Sequence, residues 1–242
     1  MNGKLFVIVP CFNEEDCISG TLEELRNDLP EAQIVAVNDG SSDRTLSCLR
    51  QIEDPNLTVL DLPFNSGIGV AVQTGLRYAA AQGADYAVKF DADGQHPAEA
   101  IPGMLNELDR GTADLIIGSR FLEKEGFQST FCRRLGIGLF KALNSLLTGQ
   151  RVTDNTSGFR AYNRAALLFA SENYPSFDYP EPEEVVLMAK NRFRITEVPI
   201  KMRCRQGGRS SISPVKSVYY MCKVLLAVWM TSLRPATRKK EM

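Results

Sequence analysis

The chain is poor in the residues that most often build metal and redox centres. Its 242 residues include one histidine, His96, and one tryptophan, Trp229. The six cysteines (Cys11, Cys17, Cys48, Cys132, Cys204, Cys222) contain no C-x-x-C pair. Zinc is disfavoured for want of ligand spacing, and the thiols read as free in a reducing compartment. Net charge is lacking too: 28 basic side chains meet 29 acidic ones, for a formal −1. Nothing in that balance recommends nucleic acid as a partner. The amino-terminal stretch enters a strand at Leu5 without a basic segment, a long apolar core and a cleavage site. No signal peptide is therefore read there, and a cytosolic position is expected. Internal repeats and low-complexity linkers are absent.

What is present suits one α/β domain. The hydrophobic fraction is 44% and the charged fraction 24%, as in soluble globular proteins. Apolar runs bounded by turn residues recur at Leu5–Val9, Ile34–Val37, Leu57–Leu60, Tyr86–Phe90 and Leu115–Ile117, and Ile195–Met202 reads as a final strand. Helical patterns at Thr45–Ile52, Val70–Ala81 and Ala98–Leu108 lie between them. Short continuous apolar strands alternating with helices predict a mainly parallel, doubly wound sheet with helices on both faces. Beyond Gly118 the pattern loosens: a helix is expected at Arg133–Leu147 and another at Glu183–Lys190, while Thr153–Tyr162 has no clean periodicity.

The division expected is a main domain over 1–211 and a carboxyl-terminal helix with a basic tail over 212–242. Val215, Val218, Cys222, Leu225, Leu226, Trp229 and Leu233 recur at helical spacing. A bilayer core of about 30 Å needs roughly 20 apolar residues, and Ser217–Leu233 is shorter and contains Lys223. The segment therefore reads as a helix in the membrane interface, with Trp229 as anchor and Arg234, Arg238, Lys239 and Lys240 on anionic head groups. The other readings are binding to a small integral membrane partner through Val215–Leu233 and packing of the helix on its own domain.

The chemistry concentrates in Asp91-Ala92-Asp93-Gly94-Gln95, which follows the strand Tyr86–Phe90. Two carboxylates delivered one residue apart into a turn at a strand's carboxyl end make a site for a hard cation, such as one holding a diphosphate. Pro10–Glu15 and Asn38–Asp43 are two further strand-to-turn segments, and Asn65–Gly69 opens a helix with glycines that let backbone N–H groups approach a ligand. Arg120 follows Gly118-Ser119, again at a strand end.

Pro10–Glu15, Asn38–Asp43, Asn65–Gly69, Asp91–His96, Gly118–Arg120, Asp154–Arg160 and Arg205–Ser211 stand in that order. With them the chain resembles the family 2 glycosyltransferases of the GT-A fold, and among these the bacterial polyprenyl-phosphate and dolichol-phosphate sugar synthases. The resemblance implies an inverting, metal-dependent transfer of a sugar from a UDP- or GDP-sugar to polyprenyl (undecaprenyl) phosphate, at the inner face of the cell membrane, for cell-envelope glycan synthesis. It implies that Pro10, Asn13, Glu15, Asp39 and Gly67 contact the nucleotide and that Asp91 borders ribose and sugar. Asp93, with Gln95, is implied to hold Mg2+ or Mn2+, and Arg205 and Arg209 to close over the diphosphate. Arg120, Arg134 and Ser157 are implied acceptor-phosphate contacts; where the synthases carry an assisting serine, this chain has Gly138. Asp154 and Arg160 are read as an internal ion pair or an acceptor contact.

A phosphate oxygen is already anionic and needs no base, whereas a glycan hydroxyl does. Glu184, or Glu183, is the candidate base should the acceptor be a glycan hydroxyl. The remaining alternatives are a non-catalytic nucleotide-sugar binding protein and a nucleotidyltransferase, whose longer glycine-rich signature Phe6–Glu15 lacks.

Overall fold

The computed structural model describes residues 3–122, 149–150, 152–203 and 214–237. Its strands are β1 (Leu5–Cys11), β2 (Gln33–Asn38), β3 (Leu57–Asp61), β4 (Tyr86–Lys89), β5 (Leu115–Ser119), β6 (Arg160–Asn163) and β7 (Ile195–Pro199). The helices are α1 (Ile18–Asp28), α2 (Thr45–Arg50), α3 (Ile68–Ala81), α4 (Ile101–Asp109), α5 (Arg164–Asn173), α6 (Glu181–Lys190) and α7 (Pro214–Leu233). The strands form one seven-stranded sheet in the order β3-β2-β1-β4-β6-β5-β7.

Successive residues of β1 serve opposite faces, as the period of a strand dictates. Val7, Val9 and Cys11 join Ile18, Leu22, Leu25, Met104 and Leu105 in one buried layer. Phe6 and Ile8 join Val72, Leu76, Ala79 and Leu167 in the other. Burial on both faces explains why these strands read as unbroken apolar runs.

The expected parallel sheet has one exception, β6, which runs antiparallel to both β4 and β5. Its sequence, Arg160-Ala161-Tyr162-Asn163, is too polar to read as a strand, because its arginine is buried in an ion pair. Helix α6 starts at Glu181, two residues before the expected point, with Pro182 in its first turn, where a missing N–H costs nothing. The helix expected at 133–147 lies outside the described residues, as do Arg134, Gly138, Arg205 and Arg209.

All strands except β6 point the same way, so their carboxyl ends share one edge. Between β1 and β4 the winding reverses, and ligands of open α/β sheets bind at that crevice. Pro10 fits the point of separation. Ile8 O accepts from Phe90 N at 2.9 Å on the β4 side, so Pro10, of the same parity, also faces β4, one step beyond the end of their ladder. A residue without an N–H loses nothing there.

Helix α7 packs on α6, with Val228 and Thr231 fully buried. Its other face carries Leu226, Trp229, Met230 and Leu233, which are 55%, 55%, 52% and 66% exposed and form one stripe at helical spacing. Among the described residues no helix is long and apolar enough to cross a membrane.

Candidate active site

The loops after β1 and β2 are stitched together. Asn13, in a left-handed conformation (φ 55°) that asparagine tolerates, donates its N–H to Ser41 Oγ at 3.1 Å and accepts from Ser42 N at 2.8 Å. Glu15 Oε2 accepts from both N and Nε of Arg44 at 3.0 Å. Asp39, 3% exposed, accepts from Ser66 N at 2.7 Å and Gly67 N at 2.9 Å, which ties the end of β2 to the start of α3. The glycine loop therefore spends its amides on protein: Gly69 N donates to Phe177 O at 2.9 Å. A Cβ on Gly69 would lie 1.8 Å from Ser176 O, so the glycine there admits the 176–177 backbone.

Asp91 stands at the end of β4. His96 Nδ1 accepts its N–H at 3.1 Å, which places the ring proton on Nε2, 3.5 Å from Asp91 Oδ2. The imidazole is stacked on Phe159 at 4.8 Å and edge-on to Phe90, and burial lowers its pKa, keeping it neutral. Among the described residues the buried Asp91 Oδ1 has no hydrogen-bond partner, which is costly unless a ligand completes it. Two residues on, Asp93 Oδ1 accepts from Gln95 N at 3.1 Å, and Gln95 O accepts from Arg203 N at 3.0 Å.

Arg120, at the carboxyl end of β5, lies along the same edge. Its Nε and Nη2 grip Asp154 at 2.7 Å each, and Nη2 also reaches Thr156 Oγ1 at 2.6 Å. Asp154 is fully buried, and Glu197 of β7 accepts from its N–H at 2.7 Å and from Thr153 N at 2.8 Å. Ser157 is withdrawn from the cleft, its hydroxyl donating to Gly118 O at 2.6 Å.

The model of Glycosyl transferase family 2 matches residues 6–169. The chain belongs to that family. Among its relatives are a UDP-N-acetylglucosamine–dolichyl-phosphate N-acetylglucosaminyltransferase of Methanococcus voltae, 32% identical over 81% of this chain and 84% of that one. An undecaprenyl-phosphate mannosyltransferase of Micrococcus luteus is 33% identical over 87% of this chain and 88% of that one. In fold the chain is similar to glucosyl-3-phosphoglycerate synthase of Mycobacterium tuberculosis, solved with Mn2+, UDP-glucose and phosphoglyceric acid (TM-score 0.71, 19% identity, covering 98% of this chain and 82% of that one). The architecture is thus that of the GT-A glycosyltransferases.

In this glycosyltransferase several residues stand apart from the roles expected of them. Glu184 is 1% exposed; its Oε2 accepts from Arg160 Nη1 at 2.7 Å and its Oε1 from Tyr162 Oη at 2.8 Å. Both carboxylate oxygens are spent on the core, so Glu184 is corrected from candidate base to ion-pair partner. Glu183 is also buried and accepts from Thr231 Oγ1 of α7 at 2.6 Å. The pair expected between Asp154 and Arg160 is replaced by two others, Asp154 with Arg120 and Glu184 with Arg160. Ser157 is a buried clasp on β5 rather than an acceptor contact. The fully buried Lys89, bonded to Glu181 at 2.5 Å, carries no local sequence signal, since its partner lies 92 positions away.

Gly158 supplies a local test. A Cβ there would lie 2.7 Å from Asp91 Oδ2, and its three nearest atoms all belong to the tip of that side chain. Gly158→Ala is expected to leave the melting temperature nearly unchanged while displacing the carboxylate and cutting turnover about a hundredfold. Equal turnover of the two proteins would exclude Asp91 from the reaction.

Proposed function

We propose that this enzyme transfers a sugar from a nucleoside-diphosphate sugar to a polyprenyl phosphate, with inversion, at the cytosolic face of a membrane. The observation that carries the reading is the withdrawal of Glu183 and Glu184 into the core. Neither glutamate at that position is placed to deprotonate a hydroxyl, which suits an acceptor that arrives already ionised. The names of the relatives, which act on dolichyl and undecaprenyl phosphates, support the same acceptor class.

The chain's own parts divide accordingly. The stitched loops at Asn13–Glu15 and Asp39–Gly67 hold the nucleotide at the β1/β4 crevice, and Asp91 orients ribose and sugar. Arg120, gripped by Asp154 at its Nε–Nη2 edge, lies at the acceptor side and contributes positive charge toward the lipid phosphate. Arg134, Arg205 and Arg209 would add positive charge; they lie outside the described residues. The anionic phosphate oxygen then attacks the anomeric carbon opposite the departing diphosphate.

The residues fit a divalent cation bound together with the donor. Among the described residues no three His, Cys, Asp or Glu side chains converge to hold a metal unaided. Mg2+ commonly takes one or two carboxylates and fills its shell with substrate phosphate and water; Asp93 and Gln95 offer such a partial set beside the unpartnered Asp91 Oδ1. Bound there, Mg2+ or Mn2+ would neutralise charge developing on the leaving diphosphate. The exposed stripe on α7, followed in sequence by Arg234, Arg238, Lys239 and Lys240, suits an anionic membrane surface.

The test is incubation of purified protein with undecaprenyl phosphate, Mg2+ or Mn2+, and labelled UDP- and GDP-sugars. Label is expected in the organic phase with at least one donor, and EDTA is expected to abolish it. Label appearing only in a water-soluble glycan, or in no product, would rule the reading out.

A further inference from the structure

Behind Asp91 lie four charged side chains that the transfer step does not use. Lys89 pairs with Glu181 at 2.5 Å and Arg160 with Glu184 at 2.7 Å, so the group is neutral overall. Lys89 and Arg160 are cross-strand neighbours, and Arg160 Nη2 also donates to Glu181 O at 2.8 Å, fixing the first turn of α6. The side chains of Lys89, Arg160 and Glu184 are 0%, 0% and 1% exposed, but that of Glu181 retains 12%. Glu181 is the one member that meets solvent.

Its position is set by Lys89, two residues before Asp91 on the same side of β4 and so about 7 Å along the strand. Burial alone would lower the lysine's pKa, but the charges of Glu181 and Asp91 more than compensate and raise it. Lys89 holds only Oε1 of Glu181; among the described residues no hydrogen bond reaches Oε2. Glu181 thus has one oxygen anchored by the lysine two residues before Asp91 and the other without a hydrogen bond among the described residues.

We propose that Glu181 is a specificity-determining contact to the donor sugar. Its Oε2 accepts a hydrogen bond from a hydroxyl or amide N–H of the sugar, whereas a sugar carboxylate has no hydrogen to donate and would set acceptor against acceptor. Lys89 is its positioning residue: it anchors one oxygen and offsets the charge from beneath without reaching the ligand. This inference rests on the donor-site reading above. It selects neutral and N-acylated sugars over uronates.

The experiment compares UDP-glucose, UDP-N-acetylglucosamine and UDP-glucuronate as ligands of the full chain, by calorimetry with Mg2+ and by kcat/KM with undecaprenyl phosphate. The native protein is expected to favour a neutral donor over the uronate by about a hundredfold. Glu181→Gln is expected to weaken the neutral donors about tenfold while improving the uronate, so that the ratio collapses. General damage to the fold would lower all three together and leave the ratio intact. Because Glu181→Gln leaves Lys89 without its charge partner, the double variant Lys89→Met/Glu181→Leu, which removes both charges at similar volume, is measured alongside and is expected to lose the same discrimination. A ratio unchanged in both variants, or a native protein that binds the uronate as well as the neutral donors, overturns the inference. Calorimetry needs no acceptor, so normal donor selectivity without lipid product would count against the acceptor reading alone.

Discussion

Asp93→Asn is expected to lower the transfer rate by about a thousandfold, the scale at which removal of one charge-stabilising group acts on a transition state. The substitution is nearly isosteric, and the asparagine oxygen can still accept from Gln95 N, the 3.1 Å bond that shapes the turn. Folding should therefore be untouched, and the loss should be that of a negative charge alone. Metal titration provides the decisive readout. The residual rate of the variant should saturate at a much higher Mg2+ concentration, while donor affinity measured in EDTA stays that of the native protein. An unchanged Mg2+ dependence would remove Asp93 from the metal site. A non-catalytic sugar-binding protein would instead show no transfer to lose.

Arg160→Met is expected to destabilise the fold by about 3–5 kcal/mol, because it leaves Glu184 as a buried carboxylate with, among the described residues, only the Tyr162 hydroxyl for a partner. The companion Arg160→Met/Glu184→Met should recover most of that loss, since the cost lies in an unmatched buried charge rather than in missing attraction. Urea midpoints with a common slope would measure both. If the single variant costs less than about 1 kcal/mol, the pair is not the internal brace described for it. Glu184→Gln separates the brace from a base: a brace alters stability and leaves the pH–rate profile in place, whereas loss of a general base removes its acidic limb.

These side chains also mark where sequence reading stops. Strands β1, β2, β4 and β5 were legible because each is buried on both faces and writes that burial as an apolar run; β3 and β7, only partly covered, were legible because their apolar residues are bounded by turn residues. The crevice residues were legible for a related reason: Asp39, Asp91 and Arg120 each lie within three residues of the end of such a run, so the end of the strand locates them. Strand β6 was not, because its first residue is an arginine whose compensation comes from Glu184, 24 positions later. Glu183 and Glu184 read as a helix start carrying a candidate base, since nothing nearby in sequence announces Arg160 or Thr231. Asp154 was given the wrong arginine for the same reason: the fork that grips it comes from Arg120, 34 positions earlier. Local pattern reports burial of apolar groups; it is silent on charges that neutralise one another across the sheet.

The placement of β6 has a bearing on how such enzymes change acceptors. The chain leaves the sheet at Ser119 and re-enters at Arg160 on the adjacent strand, and Arg120 and Asp154 fasten the two ends of the excursion together. A closed excursion pays for added length only logarithmically, about 0.6 kcal/mol for each doubling. The segment between β5 and β6, which the proposed function assigns to the acceptor, is therefore a detachable cassette in evolutionary terms. Its length can change behind the Arg120–Asp154 clasp while the parallel strands stay fixed.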